Sequence, residues 1–364
     1  MGNRPIFPSI LRTGSTEIED MNSENPDRQE HQSGVSPRRR WRKSIQVWLM
    51  KVLVLLISIF WCLAISIRFT VRDSSSVIST LIFYMSPLIL LSLGAFVVFV
   101  LAWKVHWRRI AVIWLLLSIM AGTWCWKTQF QNGTNANRVS KQDQSTKRVL
   151  FWNIGDRLWG LEHAINEMRH LDPDLIGLVE AGADSAEMKQ FWKQTFPDHP
   201  YQVVQNGFVF LSRLPIEDTS AGRLADMGQY LKFSLQSDQS DVRAPAVFLV
   251  DIYSKVLKSR KAALKELADQ ASQLDQQPVL VLGDFNTPGD SVHFDPLRKN
   301  FKNSLEIAGD GYLATWPLPV PVLDLDGIWT NEFIELYHAE NRWTWVSDHR
   351  PVCIEMSFKL PAEK

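Results

Sequence analysis

The sequence predicts an α/β domain in the second part of the chain, preceded by helices that span a membrane. From Arg148 onward, short apolar runs alternate with segments of helical periodicity, which is typical of layered α/β domains. Three long apolar segments lie before that region. Polar side chains that could bind a cation or carry a proton stand at the ends of several apolar runs, so the domain is also a candidate enzyme.

Composition argues against a general nucleic-acid-binding protein. The chain has 364 residues with 39 basic and 39 acidic side chains, so its formal net charge is zero. Two of its three cysteines, Cys62 and Cys125, fall in apolar runs, and Cys353 stands apart from both. We therefore expect no disulfide framework.

Residues 1–44 are predicted to form a disordered tail that ends in a basic cluster. Residues 1–36 are polar without periodicity and cannot bury enough apolar area to offset the entropy lost on ordering. The basic residues between Arg38 and Lys43 lie directly before the first apolar segment, as expected of a membrane-orientation signal.

Three transmembrane helices are predicted within residues 45–126, at about 45–67, 77–103 and 110–126. At about 1.5 Å per residue, such segments can cross a hydrocarbon layer about 30 Å thick. The second segment contains Pro87 but no charged residue before Lys104. The third is short, and its alternative interpretation is a buried helix of a soluble domain.

The positions of the basic residues predict the orientation of these helices. The basic segments 38–43 and 104–109 lie on the same side if the helices cross in sequence order, and the positive-inside rule makes that side cytoplasmic. Three crossings then place everything after Trp126 outside the cytoplasm. The expected location is the plasma (inner) membrane, with residues 127–147 as a polar linker to the C-terminal domain.

The domain is predicted to cover residues 148–358. Strands are predicted at 149–154, 175–179, 207–211, 230–235, 246–253 and 279–282. One helix is predicted to be capped by Asp156, with the apolar stripe Leu158, Leu161, Ile165 and Met168, and a longer one to cover 256–274. The residues leave open whether the strands form one sheet or two.

The candidate site residues are of the types that phosphoester hydrolysis requires. Glu180, Asp348 and Asn153 could supply the carboxylate and carboxamide oxygens that Mg²⁺ prefers. His349 could accept a proton or donate to a phosphate, and Asp326 is the best candidate to orient it. Each residue also has a simpler interpretation, since Asp348 could cap a turn, Gly283–Asn286 could form one, and Asn153 could be a structural hydrogen bonder.

The motifs resemble those of the endonuclease/exonuclease/phosphatase superfamily, in particular its membrane-anchored bacterial subgroup. The resemblance extends from about Arg148 to Phe358. It is carried by the strings VLFWNI, DPDLIGLVE, FVFLSRLPI, VLVLGDFNTP, TWP, LDGI and SDHRPV, with VE in place of the more usual QE. It implies a four-layer α/β sandwich, two β-sheets flanked by helices, with a metal-dependent phosphoesterase site at one edge.

The resemblance also implies roles for individual residues. Asn153 and Glu180 correspond to the first metal-site pair, and Asp348 to a ligand or near-ligand of Mg²⁺, for which Mn²⁺ is the alternative. Asp284 corresponds to the residue that activates or orients the attacking water, and Asn286 to a residue that positions the phosphate and nucleophile. His349 would lie beside the scissile phosphate, oriented by Asp326; whether Asp284 or His349 is the base stays open.

One position departs from the family pattern. Many relatives carry a histidine at the end of the strand Phe248–Ile252, where this chain has Asp251. An aspartate could protonate a leaving oxygen there if burial or neighbouring charge raised its pKa, and otherwise it could add an oxygen for a metal. The leaving-group role of Asp251 is therefore an open question.

These features predict a membrane-anchored, divalent-metal-dependent phosphoesterase that cleaves a phosphodiester or phosphomonoester by attack of water. The expected partners are a phosphoester substrate (a phospholipid, a small phosphoester or a nucleic acid) and the lipid bilayer; the sequence gives no evidence for a protein partner. The alternatives are a DNA or RNA nuclease of the same family, although the domain has no concentrated basic stripe, and a catalytically impaired domain that binds a phosphorylated ligand or partner.

The predicted orientation can be tested with a reporter fused to the C-terminus. A reporter that is active only in the cytoplasm should stay inactive, whereas one that requires export should be active, because three crossings place the domain outside. Activity of the cytoplasmic reporter in intact cells would contradict this topology.

Overall fold

The structure is a computed structural model that describes residues 37–133, 146–155, 160–236 and 243–359, with the backbone alone for 37–40. Residues 1–36 of the predicted tail 1–44, the predicted cap Asp156 with Leu158, and most of the predicted linker lie outside the described residues, whereas residues 37–44 of that tail belong to a helix. Two compact units are distinguished, Met1–Leu49 and Met50–Lys364. Every contact described below lies within the second unit.

Four helices precede the domain: α1 (Pro37–Phe69), α2 (Val77–Met85), α3 (Leu88–Lys104) and α4 (Arg108–Gln129). Among the described residues, Trp41–Phe69 and Arg108–Gln129 are long and apolar enough to cross a membrane. Helices α2 and α3 meet that condition only as a pair, and they are bent by 74° relative to one another. The count of candidate spans is therefore two, or three if the bent pair is one span.

The bend lies at Ser86 and Pro87, so the predicted span 77–103 is not one straight helix. Proline has no backbone N–H and disfavours helical conformation at the preceding residue. Helix α2 accordingly ends at Met85, and α3 begins after Pro87.

Helix α4 continues directly into the first strand, β1 (Phe130–Gln131), which pairs antiparallel with β11 (Gly309–Tyr312). The Phe130 ring stacks between Trp126, with centroids 4.4 Å apart, and Tyr312, at 4.8 Å. The first residues of the predicted linker therefore form the end of a helix and a strand that belongs to the domain.

The described part of the domain contains an eight-stranded sheet and a six-stranded sheet. The first has the order β1, β11, β13 (Ile334–Asn341), β14 (Val352–Phe358), β2 (Lys147–Asn153), β3 (Leu175–Val179), β5 (Phe208–Ser212), β4 (Tyr201–Gln205). The second has the order β10 (Lys302–Asn303), β12 (Asp326–Thr330), β9 (Val279–Asp284), β8 (Ala246–Ile252), β7 (Gly228–Leu235), β6 (Ile216–Leu224).

The two sheets pack face to face and carry helices on their outer faces, so the predicted four-layer sandwich is confirmed. Along β2, Phe151 belongs to the core between the sheets with Leu249 and Leu282 of the second sheet. The next residue, Trp152, belongs to a separate core with Met168 of an outer helix. The helices outside the first sheet are α5 (Leu161–Leu171) and α6 (Ala186–Thr195). Outside the second lie α7 (Lys261–Ser272) and α8 (Asp295–Arg298), and the short α9 (Ser304–Ala308) packs at the end of the core between the sheets.

The predicted strands correspond to β2, β3, β5, β7, β8 and β9, but several elements were not predicted. Strand β6 has the polar sequence IEDTSAGRL and an exposed outer edge, so it lacks the apolar run that identified the others. Helix α7 begins at Lys261, five residues later than the predicted 256, because Val256–Arg260 form a loop and a turn.

The core between the sheets predicts a specific loss of stability on truncation. Phe210 of the first sheet contacts Phe233 of the second, with ring centroids 4.3 Å apart. Phe210→Ala should cost about 3–5 kcal/mol of unfolding free energy, because it removes a buried ring and leaves a cavity. Thermal unfolding of the detergent-solubilised chain should show a clearly lower Tm, whereas Trp345→Ala, at a side chain that is 78% exposed, should not. Equal Tm values for the two variants would contradict this packing.

Candidate active site

Three carboxylates are aligned across neighbouring strands of the second sheet. Asp251 of β8 pairs in parallel register with Asp284 of β9, and Asp284 pairs in antiparallel register with Asp326 of β12. Paired residues in a sheet project to the same face. Strand register therefore places these three side chains at one end of the sheet, where Asn153 and Glu180 of the first sheet also lie.

Gly283 allows β8 and β9 to approach closely at this point. A Cβ atom at position 283 would lie 2.8 Å from the carbonyl oxygen of Val250 and 2.9 Å from the Cβ of Val250. A side chain at 283 would push the two strands apart where they carry Asp251 and Asp284. This glycine is thus a residue of strand β9 rather than part of a turn.

The side-chain amide of Asn153 connects the two sheets. Its Nδ2 donates to Glu180 Oε1 at 3.1 Å and to Asp284 Oδ2 at 2.9 Å. Its Oδ1 accepts from the backbone N–H of Gly155 at 2.9 Å. Asn153, Glu180 and Asp284 therefore form one hydrogen-bonded group, as their predicted common site requires.

Asn286 holds Asp284 from the other side. The backbone N–H of Asn286 donates to Asp284 Oδ1 at 2.9 Å, and its Nδ2 donates to Asp284 Oδ2 at 3.2 Å and to the Ile252 carbonyl at 2.8 Å. Asp284 is 1% exposed and accepts from two amide side chains and one backbone amide. Its orientation is consequently fixed.

His349 lies between two buried carboxylates. Its Nδ1 is 2.8 Å from Asp326 Oδ2, and its Nε2 is 3.9 Å from Asp284 Oδ2. The bond to Asp326 leaves Nε2 directed to the Asp284 side, and the role of Asp326 as the orienting residue stays a prediction. A water or phosphate oxygen at about 2.8 Å from both Nε2 and Oδ2 would complete a triangle with them.

The pKa values of Asp284 and His349 are both raised, which favours the neutral form of the acid and the charged form of the imidazole. Desolvation, followed by the neighbouring Asp326 charge, raises the pKa of Asp284 to about 8. Desolvation alone would lower the pKa of His349, but the carboxylates of Asp326 and Asp284 outweigh it and raise the pKa to about 10. The imidazolium form of His349 is therefore stabilised between the two acids.

Ser347 and Asp348 fix the segment that carries His349. Ser347 Oγ donates to the Asn153 carbonyl at 2.8 Å and accepts from the His349 N–H at 3.1 Å. The Asp348 carboxylate accepts from Trp316 Nε1 at 3.1 Å. Asp348 thus lies next to the group of Asn153, Glu180, Asp284, Asn286, Asp326 and His349 but is hydrogen bonded to Trp316, and its assignment as a metal ligand stays a prediction.

Two site residues adopt left-handed backbone conformation. Glu180 has φ 51° and Asn286 has φ 46°. This region costs a non-glycine residue of order 1–3 kcal/mol, although asparagine tolerates it better than most. Such strain is common at functional sites, and here it lies at the first residue after β3 and in the turn after β9.

Asp251 lies at the open side of the site. It accepts from Gln229 Nε2 at 3.3 Å and lines a cleft of ≈ 390 Å³ together with Glu180, Lys255 and Asn286. The position that carries a histidine in many relatives therefore faces the same cleft as the predicted metal pair. A larger cavity, of ≈ 740 Å³, lies at the opposite ends of these strands and contains none of the candidate residues.

The donor set fits a hard divalent cation. Ligand atoms of Asp284, Asp326 and His349 lie within 4.8 Å of one another. Among the described residues, Asp326 Oδ1 is buried and has no hydrogen-bond partner. Glu180 adds a carboxylate beside this group. Asn153 would add its amide oxygen only after rotation of the amide, because Oδ1 accepts from the Gly155 N–H and Nδ2 faces the two carboxylates. Oxygen-rich sites of this kind suit Mg²⁺ or Mn²⁺.

The sequence interpretation missed the contribution of the segment that precedes α3. Tyr84 of α2 donates through its hydroxyl to the Asn286 carbonyl at 3.4 Å, and its ring lies 5.3 Å from the Arg260 guanidinium. Arg68 and Asp73 contact the loop after Asn286, as described below. A charged residue that is buried next to an apolar span is a recognised sign of function, and Arg68 with Asp73 provided that signal.

The two-sheet α/β sandwich is a fold of phosphoesterases and nucleases. The chain belongs to the Endonuclease/Exonuclease/phosphatase family, whose family model matches residues 150–349. No curated protein matches the chain.

Solved structures with similar folds include two bacterial proteins and one human catalytic domain. An endonuclease/exonuclease/phosphatase family protein from Bacteroides thetaiotaomicron is 15% identical over 59% of this chain and 99% of its own, with TM-score 0.49. The human Nocturnin catalytic domain, with a bound sulfate anion, is 17% identical over 59% and 95%, with TM-score 0.46. A mannosyl-6-phosphatase from the same Bacteroides species is 14% identical over 58% and 100%, with TM-score 0.47.

The Asp326–His349 pair gives a direct electrostatic prediction. In the metal-free protein, Asp326→Asn should lower the pKa of His349, because it removes the nearer of the two carboxylates that stabilise the imidazolium. A histidine NMR titration of the wild type and the variant measures the shift. His163→Ala, at an exposed histidine of α5, is the assignment control and should leave the His349 resonance in place. An unchanged or higher His349 pKa in Asp326→Asn would refute the pairing.

Proposed function

We propose that this protein is a membrane-anchored phosphoesterase that uses Mg²⁺, or Mn²⁺ in its place, to hydrolyse a phosphodiester or phosphomonoester by attack of water. The observation that carries the proposal is the buried Asp326–His349–Asp284 group hydrogen bonded through Asn153 to Glu180. An aspartate–histidine pair, an acceptor that faces it, and oxygen ligands for a cation are the groups that this reaction needs.

The hydrogen bonds of each residue indicate its role in the proposed reaction. Asp284 is held by Asn153 and Asn286 and is an acceptor, so it orients the attacking water and takes its proton. His349 is flanked by two carboxylates and donates from Nε2 to a phosphate oxygen, where negative charge grows in the transition state. Glu180 and Asn153, with Asp348 nearby, would hold the cation, which would neutralise charge on the phosphate oxygens.

Asp251 is the candidate for the leaving-group side. It faces the cleft beside Lys255, on the strand next to Asp284. In the proposed reaction it contacts the phosphate ester from the side opposite the His349 pair, either through a proton on its carboxyl group or through the cation.

The membrane part of the proposal rests on the helices. Two or three of them have the length and composition of membrane spans. The basic residues Lys104, Arg108 and Arg109 stand at the turn between α3 and α4, which supports a plasma-membrane protein whose domain faces away from the cytoplasm.

The proposal is tested by turnover of the purified full chain in detergent. With Mg²⁺, it should hydrolyse bis(4-nitrophenyl) phosphate or 4-nitrophenyl phosphate, and chelation with EDTA should abolish the activity. Glu180→Gln and His349→Ala should each lower kcat/KM by about two to four orders of magnitude, since each removes a charge that acts in the transition state.

Two matched variants control for general effects of substitution. Glu335→Gln changes an exposed glutamate of β13, and His163→Ala an exposed histidine of α5, and both should leave turnover unchanged. Duplex DNA and single-stranded RNA in the same assay test the nuclease alternative. If no phosphoester is hydrolysed with either metal while the folded chain is intact, the domain is a binding module and the proposal is wrong.

A further inference from the structure

Residues 68–73, at the end of α1 and after it, are hydrogen bonded and ion-paired to residues 290–292, in the loop that follows Asn286. Asp73 is 3% exposed and accepts from Ser291 Oγ and, at 3.3 Å, from the Val292 N–H. Arg68 pairs with Asp290, and Arg72 Nη1 donates to the Asp290 carbonyl at 3.0 Å. These bonds, here called the Asp73 clasp, attach residues 68–73 to the residues that come four to six positions after Asn286.

Helix α2 follows directly after the residues of this attachment, and one of its side chains reaches the backbone of a site residue. Its buried side carries Ser79, Thr80 and Phe83, and the Phe83 ring lies 4.6 Å from the Arg68 guanidinium. Tyr84, next in sequence, reaches the Asn286 carbonyl. The helix therefore joins the membrane segment to a residue that holds Asp284.

The exposed side of α2 is apolar, whereas a helix on the surface of a water-soluble domain exposes polar side chains. Ile78 is 70% exposed and Met85 is 68% exposed, and Val77 is exposed on the same side. These residues repeat at helical spacing, so they form one face. A short helix with a polar-lined buried side and an apolar exposed side is suited to lie in a bilayer surface. Exposed apolar side chains of α3, of α4 and of the part of α1 after Leu49 belong to the same compact unit as α2, so the bilayer that covers them is the occupant we assign to this face.

Loops that carry site residues add further exposed apolar side chains. Leu257, in the loop after Asp251, is 67% exposed, and this loop leads to Arg260, whose guanidinium lies over the Tyr84 ring of α2. Val320, in the loop before Asp326, is 68% exposed, and that loop continues to Leu323, which lies beside the start of α3. Two loops next to α2 and α3 thus also carry an exposed apolar side chain.

We propose that the substrate is a phosphate ester of a membrane lipid, which reaches the site from the bilayer alongside α2 while its acyl chains stay in the membrane. This inference rests on the proposed phosphoesterase function and specifies its substrate class. The Asp73 clasp keeps α2 and the Asp290–His293 loop together, so the distance from the apolar face to Asn286 is fixed by packing. A lipid phosphate could then enter the cleft of Glu180, Asp251 and Asn286 without leaving the membrane.

The experiment compares lipids with their deacylated counterparts. The full chain is reconstituted into vesicles of phosphatidylcholine, phosphatidylglycerol and phosphatidic acid, and loss of each lipid with Mg²⁺ is followed by mass spectrometry. Glycerophosphocholine, glycerophosphoglycerol and glycerol 3-phosphate present the same head groups free in solution. At least one lipid should be hydrolysed about tenfold faster than its deacylated counterpart, since the bilayer concentrates it at the site. Equal or faster turnover of the free head groups would overturn the inference.

A pair of matched variants tests the apolar face itself. Ile78→Asp should lower lipid turnover about tenfold, because it places a charge on the bilayer-facing side of α2, and Leu257→Asp should lower it as well. Ile307→Asp introduces the same charge at an exposed isoleucine of α9, away from the site, and should leave lipid turnover unchanged. Hydrolysis of bis(4-nitrophenyl) phosphate, measured in the same samples, should be unaffected in Ile78→Asp and Ile307→Asp and shows that these two variants are folded.

The results separate the two proposals. If bis(4-nitrophenyl) phosphate is hydrolysed but no lipid is, the lipid inference fails and the phosphoesterase function stands. The same conclusion follows if Ile78→Asp and Ile307→Asp hydrolyse lipid at the same rate. If neither the dye nor any lipid is hydrolysed with Mg²⁺ or Mn²⁺, the proposed function fails, and the lipid inference fails with it.

Discussion

The hydrogen bonds of one side-chain amide hold the site together. Asn153 stands at the end of β2 in the first sheet, yet its Nδ2 is shared between Glu180 of the same sheet and Asp284 of the second. Apart from this bond and a few others, such as His349 to Asp326 and Gln229 to the Asn206 carbonyl, the two sheets are joined by apolar packing, which is not directional. A directional bond between them sets the positions of Glu180 and Asp284 relative to one another. The bonds from Asn286 fix Asp284 further, and His349 Nε2 lies 3.9 Å from the carboxylate held in this way.

The sequence predicted the candidate site residues better than it predicted how they meet. The polar residues after β2, β3 and β9 were visible because each follows a continuous apolar run, and such runs are recognisable without tertiary information. The pairing of Asp251 with Asp284 and of Asp284 with Asp326 depends on strand register, which long-range packing determines. Strand β6 was missed because its side chains are largely polar. Strand β1 was missed because a strand of two residues is too short to show the alternation of apolar and polar residues.

In the membrane region, too, the sequence predicted the elements but not their tertiary contacts. Hydropathy identified the apolar segments, and Pro87 marked where the second one is interrupted. Periodicity alone did not reveal that α2 turns back against the domain, because that arrangement depends on the Asp73 clasp, whose partners are more than two hundred positions apart in sequence. The basic segments 38–43 and 104–109 were used for orientation, whereas the pairing of Arg68 with Asp290 and of Asp73 with Ser291 is a tertiary property.

The direct passage from α4 into β1 has a consequence for kinetics. Gln129 ends the helix, Phe130 already pairs in the sheet, and the Trp126–Phe130–Tyr312 stack stiffens the junction. In a membrane, a domain attached in this way has little freedom to rise from the surface or to tilt. The relevant concentration of a bilayer-borne substrate is then its mole fraction in the plane of the membrane, and encounter is diffusion in two dimensions. Diluting the vesicles in buffer would leave the rate per protein unchanged, whereas diluting the substrate with inert lipid would lower it.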